Sequence, residues 1–202
     1  MPDHWQRFVL SGGSYSLRGI VDVIITTKGE PVEMVKKTVQ AAKAIAYPNI
    51  RFYIIDDGNR EEIKSLAEKY QYNYLVRPDR QTKTYKAASL NYGLNHSYGN
   101  YVLVLDADQR VRPSIIDDLL GHFKDEKLAY IATRQLFDVP ENDFNQDYLF
   151  YEYMQPGKGT QSVAISCGSG VIYRRSALQA IGGFSEWNIV EDLHTSYLLN
   201  SY

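Results

Sequence analysis

The sequence predicts an α/β domain in which a mainly parallel sheet carries helices on both faces, and three observations lead there. Short apolar runs alternate with segments of helical spacing from Val21 onward, the pattern of strands joined by right-handed crossovers. Tyr101 to Leu105 is apolar at every position, as expected of a strand buried on both faces. The 202 residues, 44% hydrophobic and 23% charged, suffice for one such domain with a real core and are few for two.

The elements follow in order. Residues 1–19 scatter Pro2, Gly12, Gly13 and Gly19 among aromatics and read as an irregular lead-in. Residues 21–27 form the first strand, and Glu30-Pro31 opens a helix, with proline where its missing N–H does no harm and apolar positions continuing to about Ala46. Tyr47-Pro48-Asn49 turns the chain into a strand over 50–55, a helix over 60–70, a short strand over 72–76 and a helix over 83–97. Beyond the strand that starts at Tyr101, Ser114 is placed to cap a helix reaching Phe123, and 128–133 is a further strand. Residues 137–155, rich in Phe, Tyr, Asn and Asp, suit an amphipathic, partly exposed helix beside a groove. Glycines at 168 and 170 permit close approach of a ligand or another backbone, before a strand over 171–173 and a helix from about Ser176 that ends at Gly182-Gly183. Val190-Glu191-Asp192 opens the last helix.

Composition narrows the function. A net charge of -2 gives no support to a nucleic-acid-binding surface, so phosphate recognition should be local. The single cysteine, Cys167, excludes an internal disulfide and a cysteine-based zinc site and fits a reducing compartment. No apolar run approaches the roughly 18 residues that span a bilayer, and the N-terminus lacks the layout of a signal peptide. The stretch as written is expected to be soluble.

The chemistry is expected at the strand ends. Asp106 and Asp108 close the strand that begins at Tyr101, where charge is costly unless a divalent cation such as magnesium or manganese, or a polar turn, accommodates it. A second strand ends in Asp56-Asp57-Gly58. Ligands of such sheets sit outside the carboxyl ends of the strands, so two acidic ends on one edge favour a metal or nucleotide site. By themselves, Asp57 reads as a helix cap, Lys86 as a solvated charge and Asp192 as a first-turn carboxylate favoured by the helix dipole.

Asp56-Asp57-Gly58, Asp106-Ala107-Asp108, Ser166-Cys167-Gly168-Ser169 and Glu191-Asp192, in this order, resemble the catalytic domain of family 2 glycosyltransferases, in particular the processive cellulose-synthase-like branch. The resemblance covers residues 20–202 and implies a GT-A (Rossmann-like) fold, truncated at its C-terminus. It also implies a nucleotide-diphosphate sugar donor, usually UDP-linked, Mg2+ or Mn2+, and inverting transfer to a growing β-linked polysaccharide or other glycan acceptor. Carried over by motif, Asp57 receives the uracil ring, Asp106 lies near the ribose and diphosphate, Asp108, with Asp106 beside it, holds the metal, and Lys86 approaches the diphosphate. Thr27 and Glu30 match the donor-side turn after the first strand. Asp192 matches the general base that takes the acceptor's proton. Ser166, Cys167, Gly168 and Ser169 match the loop under the acceptor's terminal sugar, with Gln155 and Glu191 nearby. The branch further implies flanking transmembrane helices and a place on the cytoplasmic face of the membrane.

The sequence departs from the family pattern in three places. Thr27-Lys28-Gly29-Glu30 stands where many relatives have Thr-Tyr-Asn-Glu, so the aromatic platform for the base is replaced by Lys28. Ala88 and Ser89 stand for the usual glycine and asparagine after Lys86, and the Gln-x-x-Arg-Trp motif of processive members is not within these residues. Two alternatives stand beside the transferase. A non-catalytic nucleotide-binding or interaction module could retain the fold, and a nucleotidyltransferase would want a glycine-rich basic loop after the first strand, of which residues 26–30 supply little.

Overall fold

A computed structural model describes residues 19–138, 149–160 and 163–201. The expected lead-in over 1–18 and part of the expected helix, 139–148, lie outside the described residues. Among them, six strands form one sheet: β1 (Val21–Thr27), β2 (Ile50–Asp56), β3 (Asn73–Leu75), β4 (Tyr101–Asp106), β5 (Tyr130–Ala132) and β6 (Val171–Arg174), ordered β3-β2-β1-β4-β6-β5. The first four run parallel, and β6 pairs antiparallel with both β4 and β5. The antiparallel strand is a departure from the simple alternation, which had no means of showing it.

The helices are α1 (Val32–Lys43), α2 (Glu61–Tyr70), α3 (Lys86–Asn95), α4 (Ile115–Leu120), α5 (Gln155–Thr160), α6 (Arg175–Ala180) and α7 (Glu191–Ser201). A 3-10 turn over Gly121–Lys124 continues α4, and a π-helical turn over Phe150–Met154 leads into α5. In α1 the buried positions Val35, Thr38, Val39 and Ala42 follow helical spacing, so one stripe meets the sheet. The strands sort their side chains by parity. Val23, Ile25, Phe52, Ile54, Leu103 and Leu105 face a core built with α1, α2 and α4. Ile24, Tyr53, Ile55, Val102 and Val104 face a second core built with α3, α6 and α7. Helices therefore cover both faces, as expected.

Charge is also buried inside this frame. Asp22, fully buried in β1, pairs with Arg51 at 2.8 Å and Arg175 at 2.9 Å and accepts the Gly99 amide. This triad closes the sheet at the amino end of β1, the end opposite the acidic strand termini.

Two local expectations are corrected. The Ser114 oxygen accepts no amide of the first turn of α4; its hydroxyl donates to the Asp118 carboxylate at 2.7 Å. Asp57 does not cap the helix that follows, which has no side-chain cap; Asp56 beside it is fully buried and accepts from the amides of Gly58 and Arg60, the Arg60 guanidinium and the Tyr74 hydroxyl. Asp56→Ala is expected to cost about 3 kcal/mol in urea unfolding, because it strands a guanidinium and several donors. Ser114→Ala is expected to stay within about 0.5 kcal/mol.

Candidate functional site

The parallel strands place the site. β1 has β2 on one side and β4 on the other, so the chain order reverses between β1 and β4, where α/β sheets open a crevice. Thr26 lies level with Asp106 and Thr27 with Asp56, which gathers the acidic ends at one edge. A cleft of 320 Å³ opens there, and Thr27, Lys28, Glu30, Asp57, Lys86, Ser89, Asp106 and Asp108 all line it.

On the β1–β2 side the turn is built by its own side chains. Glu30 accepts the Thr27 hydroxyl at 2.7 Å and the amides of Lys28 and Gly29 at 2.8 and 3.2 Å. Burial raises the Glu30 carboxyl, but these bonds outweigh it and hold the group below its ordinary value. Asp57 is paired with Arg77 through two bonds, of 3.0 and 2.7 Å, and accepts the Ser89 hydroxyl at 2.7 Å. Arg77 is 1% exposed and also binds Asp79 and the Lys83 carbonyl. Nothing in the sequence points to Arg77 or to the Ser89 bond. Arg77 sits in an unpatterned charged loop after β3, and Ser89 stands out from the sequence only as a small residue in place of the family's asparagine.

The β4 side is crowded with carboxylates around one ammonium. Lys86, the first residue of α3, forms an ion pair with Asp106, donates to the Gly168 carbonyl at 2.8 Å and lies 3.9 Å from Glu191. Burial, then the charges of Asp108 and Asp192, push the Asp106 carboxyl up against the opposing pull of Lys86. Glu191 is likewise raised, by burial first and then by Asp192 and Asp106. Gly168, at a φ of +72°, fits where a Cβ would meet the Lys86 ammonium at 3.2 Å and an Asp192 carboxylate oxygen at 3.3 Å. Residues distant in sequence, Lys86, Asp106, Gly168, Glu191 and Asp192, are thus brought together. Among the described residues no three His, Cys, Asp or Glu side chains converge into a cation cage. A cation at Asp108 would have to complete its oxygen shell from a bound molecule.

Beyond Gly168 a second hollow, of 440 Å³, is lined by Phe137, Phe150, Tyr151, Cys167, Val190 and Asp192 among others. The described part of the expected aromatic helix does border a groove. Ser166 and Ser169 are buried at 2% exposure and serve the backbone, Ser166 bonding to the Asp192 carbonyl and Ser169 accepting the Asp106 amide. Gln155 donates to the Cys167 sulfur at 3.2 Å. Burial, with the nearby Asp192 charge, pushes the Cys167 thiol up to about 11. Folded protein at pH 8 is therefore expected to alkylate with iodoacetamide at least ~100-fold more slowly than in urea, since the thiolate is the nucleophile. Equal rates would contradict the burial.

Comparison with known proteins follows the same outline. The sequence profile described as glycosyl transferase family 2 matches residues 22–182. The chain is 33% identical over 190 residues to cellulose synthase 1 catalytic subunit [UDP-forming] of Komagataeibacter xylinus, covering 87% of this chain and 25% of that protein. It is 35% identical over 193 residues to the cellulose synthase catalytic subunit [UDP-forming] of Pseudomonas fluorescens (strain SBW25), covering 89% and 26%. The chain thus spans about a quarter of the length of these relatives. Among solved structures, a mannosyltransferase from Pyrobaculum calidifontis in complex with GDP-Man and Mn2+ superposes with a TM-score of 0.74 at 18% identity, over 96% of this chain and 56% of that one. S. aureus TarS 1-349 in complex with UDP-GlcNAc gives 0.63 at 16%, over 90% and 53%. These two share the fold, which is that of GT-A glycosyltransferases. With the profile matching most of its length and cellulose synthase subunits matching nearly nine-tenths of it, the chain belongs to glycosyl transferase family 2.

Proposed function

We propose that this domain transfers a sugar from a nucleotide-diphosphate donor, UDP-linked as the UDP-forming relatives suggest, to a growing β-linked polysaccharide or another glycan acceptor, with inversion. The observation that carries the proposal is the meeting of Asp57, Lys86, Asp106 and Asp108 in one cleft, with Asp192 just across Gly168.

In this reading Thr27, Glu30 and Asp57 hold the nucleoside end. The Asp57 carboxylate can only accept hydrogen bonds, so it suits a base that presents an N–H, as uracil does. Lys28, beside it in the cleft, replaces an aromatic platform with a cationic stem that can lie on a ring or reach a phosphate. Lys86 and Asp106 lie beside the diphosphate, and the amino end of α3, which has no side-chain cap, adds a dipole that favours negative charge. The donor set suits a hard cation: Asp108, with Asp106, would hold Mg2+ or Mn2+ together with phosphate oxygens, both carboxylates lining the same cleft. A cation so bound supplies neutralisation of the charge that develops on the leaving diphosphate.

The acceptor approaches from the aromatic hollow, where Gln155, Cys167, Gly168 and Glu191 lie near its path. Its hydroxyl oxygen attacks the anomeric carbon as the bond from that carbon to the diphosphate breaks. Asp192 accepts the hydroxyl proton. Ser166 and Ser196 both donate to the Asp192 carbonyl, at 3.3 and 2.7 Å, and so fix the backbone from which the base projects.

Among the described residues no helix is long and apolar enough to cross a membrane. The likeness to cellulose synthase subunits supports placing the domain on the cytoplasmic face of a membrane, within a longer protein that carries transmembrane helices.

Calorimetry is expected to show UDP binding that requires Mg2+ or Mn2+ and that Asp108→Ala weakens at least ~10-fold. No metal-dependent binding, with Asp108→Ala without effect, would instead favour a non-catalytic module. In the intact enzyme Asp192→Asn is expected to leave UDP affinity within about twofold and to lower transfer by roughly 10²–10⁴. Equal transfer rates would remove Asp192 from the base role.

A further inference from the structure

Outside the cleft, one carboxylate gathers partners from two separate parts of the chain. Glu186 lies in the segment between α6 and α7. Its Oε2 accepts the Lys83 ammonium at 2.9 Å and the Tyr85 hydroxyl at 3.1 Å, and its Oε1 accepts the Asn91 amide at 2.9 Å. The donors belong to the 77–85 loop and to α3, the helix that begins with Lys86. Asn91 reinforces the contact by bonding both the carbonyl and the amide of Phe184, at 2.9 and 2.8 Å.

Each end of this contact leads to the cleft. On one side Arg77, buried beneath the loop, binds the Lys83 carbonyl at 2.8 Å and Asp57 through two bonds. On the other, Ser185 donates its amide to Thr195 Oγ1 at 3.0 Å, and its hydroxyl lies 2.6 Å from the His194 ring. Both partners are in the first turns of α7, next to Asp192. Asp57 is thereby connected to the start of α7, which carries Asp192, by polar contacts through Arg77, Lys83 and Glu186 and by the adjacent Ser185 with its bonds to Thr195 and His194. Without Glu186 the segment would keep Asn91 on Phe184 but lose its tie to the loop.

Stability is a poor reason for such a carboxylate. The Lys83 side chain is 46% exposed and the Glu186 side chain 30%, and exposed ion pairs contribute little. Its worth lies in where it holds the chain. Three donors overcome partial burial and keep the Glu186 carboxyl below its ordinary value, so the contact persists in the ionised form. The nearby surface also needs holding, because Trp187 and Ile189, which follow Glu186, are 81% and 88% exposed and bury little to anchor themselves.

We propose that Glu186 is a positioning residue for Asp192, pinning the segment that leads into α7 onto α3 and the 77–85 loop so that the nucleotide side and the base side of the cleft move as one unit. The inference rests on the transferase reading given above. Glu186 touches neither donor nor acceptor in that reading; it acts by setting where α7 begins.

The test compares wild type, Glu186→Ala and Glu186→Gln in the intact protein, first by hydrogen–deuterium exchange with and without UDP and Mg2+. Glu186→Ala is expected to speed amide exchange over 185–194 about tenfold while β1 and β4 stay within about twofold, the mark of a local opening rather than lost global stability. UDP with Mg2+ is expected to slow exchange over 185–194 in wild type and not in Glu186→Ala. Glu186→Gln, whose single carbonyl oxygen can still accept from Asn91 while its NH2 group donates to the Tyr85 hydroxyl oxygen, is expected to stay within about threefold of wild type. The second readout is the ratio of transfer to a cello-oligosaccharide over hydrolysis of UDP-glucose, which is independent of the folded fraction. A displaced base is expected to lower that ratio at least ~5-fold in Glu186→Ala.

Unchanged exchange over 185–194, or loosened exchange with an unchanged ratio, overturns the proposal. Failure of the underlying reading looks different. If wild type binds no UDP, or if Asp192→Asn transfers normally, the donor or base assignment falls, while exchange in the nucleotide-free proteins still decides whether Glu186 pins the segment.

Discussion

The Lys86 ammonium lies between two halves of the chain that would otherwise repel each other. Asp106 comes from β4, Glu191 and Asp192 from the start of α7, and the Gly168 carbonyl from the loop before β6. Three negative or partly negative groups meet one positive charge, with Asp192 just across Gly168, and that charge sits on the first residue of a helix whose dipole has the same sign. Remove that charge and Asp106, already pushed up by burial, faces Asp108 and Asp192 with nothing to offset them. The arrangement is short of positive charge even with Lys86 present, a condition that suits a site meant to receive a cation with its ligand.

The paired carboxylates at the strand ends divide their labour in a consistent way. At β2, Asp56 turns inward and spends its oxygens on the following turn, which leaves Asp57 to line the cleft under the control of Arg77 and Ser89. At β4, the Asp106 amide is held by Ser169 while its carboxylate meets Lys86, and Asp108 lines the open cleft two residues on. The serines of the 166–169 loop are likewise backbone supports, so that loop acts largely by placing Gly168 between lysine and base.

Much of this was legible from residue order. The strands over 21–27, 50–55 and 101–105 appear where alternation and unbroken apolar runs put them, because a strand buried on two faces needs apolar residues of both parities. Less was legible where the signal was polar and local. Ser114 has the right residue type for a cap, but its backbone is already helical, at φ -83° and ψ -2°, where a cap needs an extended residue, and its hydroxyl donates to Asp118. The helix expected from Lys83 starts at Lys86, because Lys83 and Tyr85 are engaged by Glu186, more than a hundred positions away.

By itself the sequence determined the α/β class, the strand ends that bear acid, and the ordered motif set that marks the family, since these depend on short-range pattern and residue identity. Only the tertiary structure decided that β6 runs against its neighbours, that Arg77 rather than solvent faces Asp57, that Asp22 closes the far end with two arginines, and that Lys86 and Asp192 lie on either side of Gly168. The reason is physical. A pattern of apolar and polar residues specifies which face of an element is buried, but a charge finds its partner through the chain's path in space, and that path is set by the packing of the whole sheet.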